Sequence, residues 1–274
     1  MPLVLVGTPI GNLGDLAPRA VEALAGADAI CCEDTRRTGR LLQHFGVERR
    51  PLVVVNDHTE AKATAGVLDR LARGERVAVV TDAGMPGISD PGERLVRAAL
   101  GAGHVVEVLP GPSAAVTALV ASGLATGRYA FEGFLPRKGS GRSARLAEVA
   151  AERRTTVLYE APHRLARTLA DLAAACGADR RVAIARELTK LHEEVWRGTL
   201  AGSLEWVAPG VRGEVVVVLE GAPAPAPAGE EAVEQAVQDR LDAGDTARDA
   251  ADHVAAALGV ARRRAYEVAV RLRR

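Results

Sequence analysis

Short apolar runs alternate with amphipathic stretches through the first 120 or so residues. Residues 3–6, 29–32, 52–55, 77–80 and 105–109 each read as a buried strand, brief and bounded by glycine, proline or charge. Helical spacing fills the gaps. One stretch turns Val21 and Leu24 inward, and others cover 38–45, 60–73 and 91–102. Strands separated by helices predict crossover connections and a mainly parallel sheet. A helix over 113–122 leads to a second cycle that begins near Tyr129. Its strands fall at 155–159, 181–185 and 213–219, with a shorter candidate at 193–197, and its helices at 143–152 and 165–176.

The pattern then changes material. Residues 222–228 alternate alanine and proline, which favours an extended, semi-rigid spacer. Beyond it the periodicity is purely helical. Thr246 caps a helix running to Leu258, Gly259 ends it, and 261–271 forms another, in the manner of a helix-turn-helix module. The expected architecture is α/β with four parts: an N-terminal α/β domain (1–122), a C-terminal α/β domain (123–221), an Ala-Pro linker (222–229) and a helical module (230–274).

Composition sharpens this picture in three ways. Aromatic residues are only 3% of the chain against 48% hydrophobic overall, so alanine, valine and leucine must fill the core. Lysine plus arginine and aspartate plus glutamate both number 35, which excludes a uniformly basic surface. Within 246–274, however, seven arginines (248, 262, 263, 264, 271, 273 and 274) face Asp249, Asp252 and Glu267, a local excess of +4. Arg262, Arg263 and Arg264 concentrate that excess into a basic patch of the kind that meets phosphate. Cys31 and Cys32 would point to opposite faces of one strand and Cys176 stands alone, so reduced thiols and no metal site are expected. No secretory leader pattern and no membrane-length apolar run is present, so a cytoplasmic protein without membrane contact is expected.

Four loops at strand ends are too unusual for simple connections, and ligands of parallel sheets bind at such ends. The first, 7–15, carries three glycines and Pro9 but lacks the glycine order of a dinucleotide loop. The second, Glu33-Asp34-Thr35-Arg36-Arg37-Thr38, is either a helix-capping cluster or a polar site in which Arg36 or Arg37 meets a phosphate. The third, 81–92, has three glycines and two prolines, a rigid backbone open to close ligand approach. The fourth, 109–113, ends in Ser113 as a helix cap. The segment 136–142, with Arg137 and Lys138, reads as a solvated basic loop suited to phosphate. His58 and His163 fit structural or RNA-contacting roles better than a base role.

The stretches GTPIGNLGDL (7–16), CEDTRRT (32–38), TDAGMPGISDPG (81–92), LPGPSA (109–114), YEAPHR (159–164) and ARELTKLHEEVWRGTL (185–200) resemble the tetrapyrrole methylase superfamily, the class III methyltransferases. They resemble most closely its branch that methylates the 2′-hydroxyl of a cytidine in 16S ribosomal RNA. The resemblance implies an S-adenosylmethionine site between two α/β domains, a homodimer, and the small ribosomal subunit as partner. By position it assigns Pro9, Ile10, Gly84, Met85, Ile88, Ser113 and Ala114 to the cofactor, with Tyr159 and Ala185 closing over it. Tetrapyrrole relatives place an acid where Met85 falls, which leaves the role of Asp82 open. For a ribose hydroxyl, Lys190 is a candidate cation and Asp34, Glu33 and Asp82 are candidate proton acceptors. Each also reads as a surface ion-pair member. Two other readings stand beside this one: a methylase of a tetrapyrrole or protein side chain, and a non-catalytic RNA-binding or ribosome-assembly module. The rigid glycine loops and scarce aromatics weigh against the latter.

Overall fold

A computed structural model describes residues 2–56, 59–224 and 228–273. Met1, Asp57 and His58, three residues of the Ala-Pro spacer (225–227) and Arg274 lie outside the described residues. The chain divides into two compact units, Met1–Ala222 and Pro223–Arg274.

The first unit opens with β1 (Leu3–Val6), α1 (Pro18–Ala25), β2 (Ala29–Cys32), α2 (Thr35–His44), β3 (Leu52–Val54), α3 (Glu60–Ala72), β4 (Val77–Val79), α4 (Glu93–Gly101) and β5 (Val106–Leu109). Its five strands lie in the order β3-β2-β4-β1-β5, and every pairing is parallel. Val4, Ile30 and Cys32 face one core cluster, while Leu3, Leu5 and Cys31 face the other, as expected where helices cover both sides. Burial pushes the Cys31 thiol up to about 12, a structural cysteine rather than a reactive one.

The second sheet breaks the pattern of the first. α5 (Ala114–Ser122) leads to β6 (Tyr129–Phe134), α6 (Ser140–Ala151), β7 (Thr155–Glu160), α7 (Pro162–Cys176), β8 (Arg181–Arg186), β9 (Glu194–Thr199), α8 (Leu200–Val207) and β10 (Val215–Leu219). The order is β6-β7-β10-β8-β9; only β6 and β7 run parallel, and the other three pairings are antiparallel. β8 and β9 are joined without a crossover helix, which permits only the antiparallel return. α5 presents Ala115, Ala118 and Leu119 to Val157, Ala183, Ala185, Val216 and Val218 of this sheet. These five sheet side chains, all alanine or valine, let the helix approach closely.

Boundaries moved where a cap decided them. α2 starts at Thr35, not 38, because Asp34 Oδ1 accepts from the Arg36 amide at 2.8 Å. α8 was not foreseen; Thr199 caps it, Oγ1 accepting from the Gly202 amide at 3.2 Å. The expected solvated loop at 136–142 is also corrected. Helix α6 begins at Ser140, and Arg142 is buried, its guanidinium bound to Asp171, Thr168 Oγ1 and the Pro136 carbonyl.

Among its described residues the second unit has three helices, one more than expected: α9 (Glu230–Asp242), α10 (Ala247–Leu258) and α11 (Arg262–Leu272). Thr246 caps α10 and Gly259, with φ 63°, ends it. Val233, Val237, Ala251, Val254, Ala265 and Val268 form its core.

Candidate active site

At the carboxyl ends of the first sheet's strands, the chain backbone is brought unusually close to itself. Gly7 follows β1 and Gly111 follows β5, and a Cβ on Gly7 would stand 2.7 Å from both Gly111 Cα and Met85 Sδ. The 81–92 loop then reaches over: Thr8 and Gly84 exchange backbone hydrogen bonds at 2.9 and 3.1 Å. Gly84 and Gly87 take φ of 80° and 85°, and Ser89 takes 62°. Only glycine does this without strain, and Ser89 adopts it beside the cavity these loops enclose.

That cavity measures about 480 Å³ and is bounded by both sheets of the first unit. From the first half come Ile10, Glu33, Arg37, Asp82, Gly84, Met85, Ile88, Ser113 and Ala114. From the second come Phe134, Tyr159, Glu160, Ala185, Leu188, Glu214 and Val216. Eight of the nine expected cofactor residues are brought together here; Pro9 does not line the wall. Ser113 caps α5 as foreseen, and Tyr159 is desolvated enough to raise its phenol above the ordinary range while it bonds the Ala115 backbone.

The candidate proton acceptors separate by geometry. Glu33 and Asp82 both line the cavity, and Glu33 Oε1 accepts from the Asp82 amide at 2.9 Å. Asp82 Oδ2 pairs with Arg37 at 3.2 Å, while Oδ1 is buried and without a hydrogen-bond partner among the described residues. Asp34, by contrast, is absent from the wall and occupied as the α2 cap. Hydrogen bonds from the Arg36 side chain and amide lower its carboxyl to about 2. Arg36 is held by that same carboxylate.

Lys190 also lies off the cavity wall. Its Nζ donates to Glu187 Oε1 at 2.9 Å and to Glu214 Oε2 at 3.0 Å. Partial burial opposes its charge, but these two carboxylates outweigh that and raise its pKa, so it stays a cation. The loop that carries it is strained, with Glu187 at φ 50° and Thr189 at 65°. It grips the first loop: Thr189 Oγ1 accepts from the Asn12 amide at 3.0 Å, and a Cβ on Gly11 would strike Lys190 Cγ at 2.5 Å. Thr189 is thus the clasp between the two loops, and Lys190 an ion-pair member beside it rather than a group in the chamber.

Sequence reasoning missed Glu160 and Phe134. Glu160 is buried yet charged in pairing: Oε2 accepts from Thr168 Oγ1 at 2.5 Å, and Oε1 meets the Ala161 amide at 2.8 Å and Arg164 at 3.2 Å. A lone acid ending an apolar strand at Thr155–Glu160 was its only signal. Arg137 and Lys138 are exposed just beyond Phe134. His163 lies at the start of α7, next to Pro162 of the cavity wall.

In the second unit the +4 excess is offset once α9 is included, because 223–274 holds eight arginines and nine acids. Arg262 pairs with Asp252 and Arg263 with Glu267, leaving Arg264 of the three without an ion pair among the described residues. Among the described residues no cluster of metal-ligating side chains occurs, and no helix is long and apolar enough to cross a membrane.

Two sheets enclosing one glycine-walled chamber define a class of protein. Residues 2–202 match the family described as Tetrapyrrole (Corrin/Porphyrin) Methylases. The fold is that of the methyltransferase CobJ, at TM-score 0.62 and 22% identity over 81% of this chain and 94% of that one. It is also that of a uroporphyrin-III C-methyltransferase from Thermus thermophilus complexed with S-adenosyl homocysteine, at TM-score 0.56 and 20% identity over 80% and 97%. Sequence likeness narrows the class. Ribosomal RNA small subunit methyltransferase I of Synechocystis sp. is 44% identical over 98% of both chains, and that of Xylella fastidiosa is 50% identical over 80% of this chain and 81% of its own. The chain belongs to the ribosomal RNA small subunit methyltransferase I family, within the tetrapyrrole methylases.

Proposed function

We propose that this protein transfers a methyl group from S-adenosylmethionine to the 2′-hydroxyl of a cytidine ribose in 16S ribosomal RNA. The observation that carries the reading is the chamber itself. Its volume lies in the range of small-molecule sites, and its wall is mostly apolar with a few convergent polar groups. The residues fit the cofactor. Ile10, Met85, Ile88, Ala114 and Ala185 offer apolar contact, Gly84 an uncovered backbone, and Ser113 and Ala114 the positive end of α5. Bound there, S-adenosylmethionine supplies a sulfonium methyl open to in-line displacement by an oxygen.

The chain's own task is to hold the ribose hydroxyl in line and take its proton. Asp82 is the acceptor in this reading, because its buried Oδ1 lacks a donor and Arg37 holds the other oxygen. Glu33 fixes the Asp82 backbone. Thr189 keeps the two loops together from outside, and Lys190 ties its own loop to Glu214. Arg36, Arg37, Arg137 and Lys138 meet phosphates, with Arg264 adding a contact from the helical unit; surface pairs as weak as Arg262–Asp252 and Arg263–Glu267 yield to a phosphate at small cost. The protein works in the cytoplasm as a homodimer, as the family resemblance implies.

The test is incubation with methyl-labelled S-adenosylmethionine and small subunits, naked 16S ribosomal RNA or a tetrapyrrole precursor. Label in cytidine ribose is expected, with Asp82→Asn reducing the rate at least 100-fold. Label only in the tetrapyrrole, or in none of the three, refutes the reading.

A further inference from the structure

Phe134 stands out in a chain with only eight aromatic side chains. It is 52% exposed and lines the mouth of the chamber. A ring at that position offers an apolar face to whatever enters the chamber.

Its direction is built into the strand. Residues 131 and 134 are three apart and would point to opposite sides of a regular strand. The register of β6 against β7 shifts between Phe131 and Gly133, where Gly133 has φ 57°. This bulge brings both rings beside Tyr159, with centroids 5.0 and 5.6 Å away in edge-on contact. Phe131 thereby joins the core, while Phe134 keeps its exposure at the opening. A bulge that re-aims one side chain toward a chamber is a feature of sites rather than of packing.

The backbone after Phe134 is fixed from below. The Leu135 carbonyl accepts from Arg164 at 2.7 Å and the Pro136 carbonyl from Arg142 at 2.9 Å. Arg164 pairs with Glu160 in the chamber wall, and Arg142 bonds Thr168, which in turn bonds Glu160. The ring and the exposed Arg137 and Lys138 that follow it are therefore held at set positions relative to the chamber. An aromatic face followed by two cations suits one base and the phosphate beside it.

We propose that Phe134 is the stacking platform for the base of the acceptor nucleotide, with Arg137 and Lys138 on the adjoining phosphates. Glu160 and Arg142 are positioning residues that hold the platform. This rests on the RNA reading above.

The test separates the two. Binding of a short cytidine-containing single-stranded RNA is measured by fluorescence anisotropy, and binding of S-adenosylhomocysteine by calorimetry, for wild type, F134A, F134L, F134Y and F134W. F134A and F134L should bind the RNA about 10-fold more weakly, the scale of one base–aromatic stack. F134Y and F134W should stay within about twofold of wild type, and S-adenosylhomocysteine affinity should not change. RNA binding by F134L equal to wild type overturns the platform while leaving ribosomal RNA methylation by the wild type intact. An equal loss of S-adenosylhomocysteine affinity also overturns it, assigning the ring to the cofactor. Failure of the wild type to bind RNA at all sinks both.

Discussion

Replacing Arg142 by methionine tests whether a side chain in a basic segment is structural. Its guanidinium is only 5% exposed and makes four contacts: Nε and Nη2 to Asp171 Oδ2 at 2.8 and 2.7 Å, Nη1 to the Pro136 carbonyl at 2.9 Å, and Nη2 to Thr168 Oγ1 at 3.0 Å. Methionine keeps most of the stem's packing but none of these bonds. Removing one partner of a fully buried ion pair costs about 3–5 kcal/mol. Here the loss is smaller. Asp171 is 32% exposed and returns to water, with Arg167 at 3.8 Å as a second partner, and Thr168 keeps its bond to Glu160. A destabilisation of about 2–3 kcal/mol is therefore expected, or about 1 M in urea midpoint at a slope near 2–3 kcal/mol/M. Arg137→Met, on an exposed neighbour, should stay within about 0.5 kcal/mol. Equilibrium urea unfolding followed by tryptophan fluorescence reads both, since Trp196 and Trp206 stack in this half of the unit. Equal midpoints for the two variants would show that Arg142 is a solvated cation and that the clamp beneath Phe134 is illusory.

Two further expectations follow from the close loops. Gly7→Ala puts a methyl group 2.7 Å from the Gly111 backbone, which cannot yield as a side chain does; a loss of about 1–3 kcal/mol and weaker S-adenosylhomocysteine binding are expected, read by unfolding and calorimetry. Gly39→Ala in α2, with open space around it, is the control and should hold or raise stability, so equal losses in both would discredit the steric account. Glu187 is held below the usual carboxylate range by Lys190 and the Glu214 amide, so its contribution is present above the unfolded carboxylate pKa and disappears as pH falls through the lower folded value. Lys190, which partial burial lowers and the Glu187 and Glu214 carboxylates raise by more, keeps its contribution until pH climbs past the ordinary lysine value. Glu187→Gln should flatten the acid side of the stability–pH curve, below about pH 4.3, and parallel acid limbs would contradict it.

The first sheet was legible because each strand there is a continuous apolar run separated from the next by a helical period, the signature of parallel burial. Leu3–Val6 and Ala29–Cys32 appear with the expected bounds. The second sheet carries equally clear strands, yet Arg181–Arg186 and Glu194–Thr199 reveal nothing in their own residues about running antiparallel. That is a property of the short connection between them. The chamber's apolar wall was readable from loops whose glycines need special backbone angles, Gly84 above all. Phe134 was hidden because its orientation depends on a bulge, and alternation alone would have turned it away from Tyr159. Nothing in the local sequence marks Arg142 as buried: a charged residue near glycine and serine looks solvated until its side-chain partners, 26 and 29 positions away, are known. The tail's charge balance is hidden for a related reason: the arginines cluster beyond Thr246, and the acids that offset them lie in Glu230–Asp242 of the same folded unit.

The placement of β10 has a consequence for how the molecule is made. Val215–Leu219 is the last strand of the first unit in sequence and the central one of its sheet, completely buried and bonded on one side to β7 and on the other to β8. A nascent chain can assemble the parallel sheet once residue 109 has emerged, since all its strands lie behind that point. The second sheet has no such option. Until residue 219 clears the exit, β7 and β8 each keep an open edge, the α5 face lacks Val216 and Val218, and the chamber has only one finished side. Birth of the binding site is thus timed by its final strand, and a chain interrupted a few residues earlier would carry two sticky edges instead of a methyltransferase.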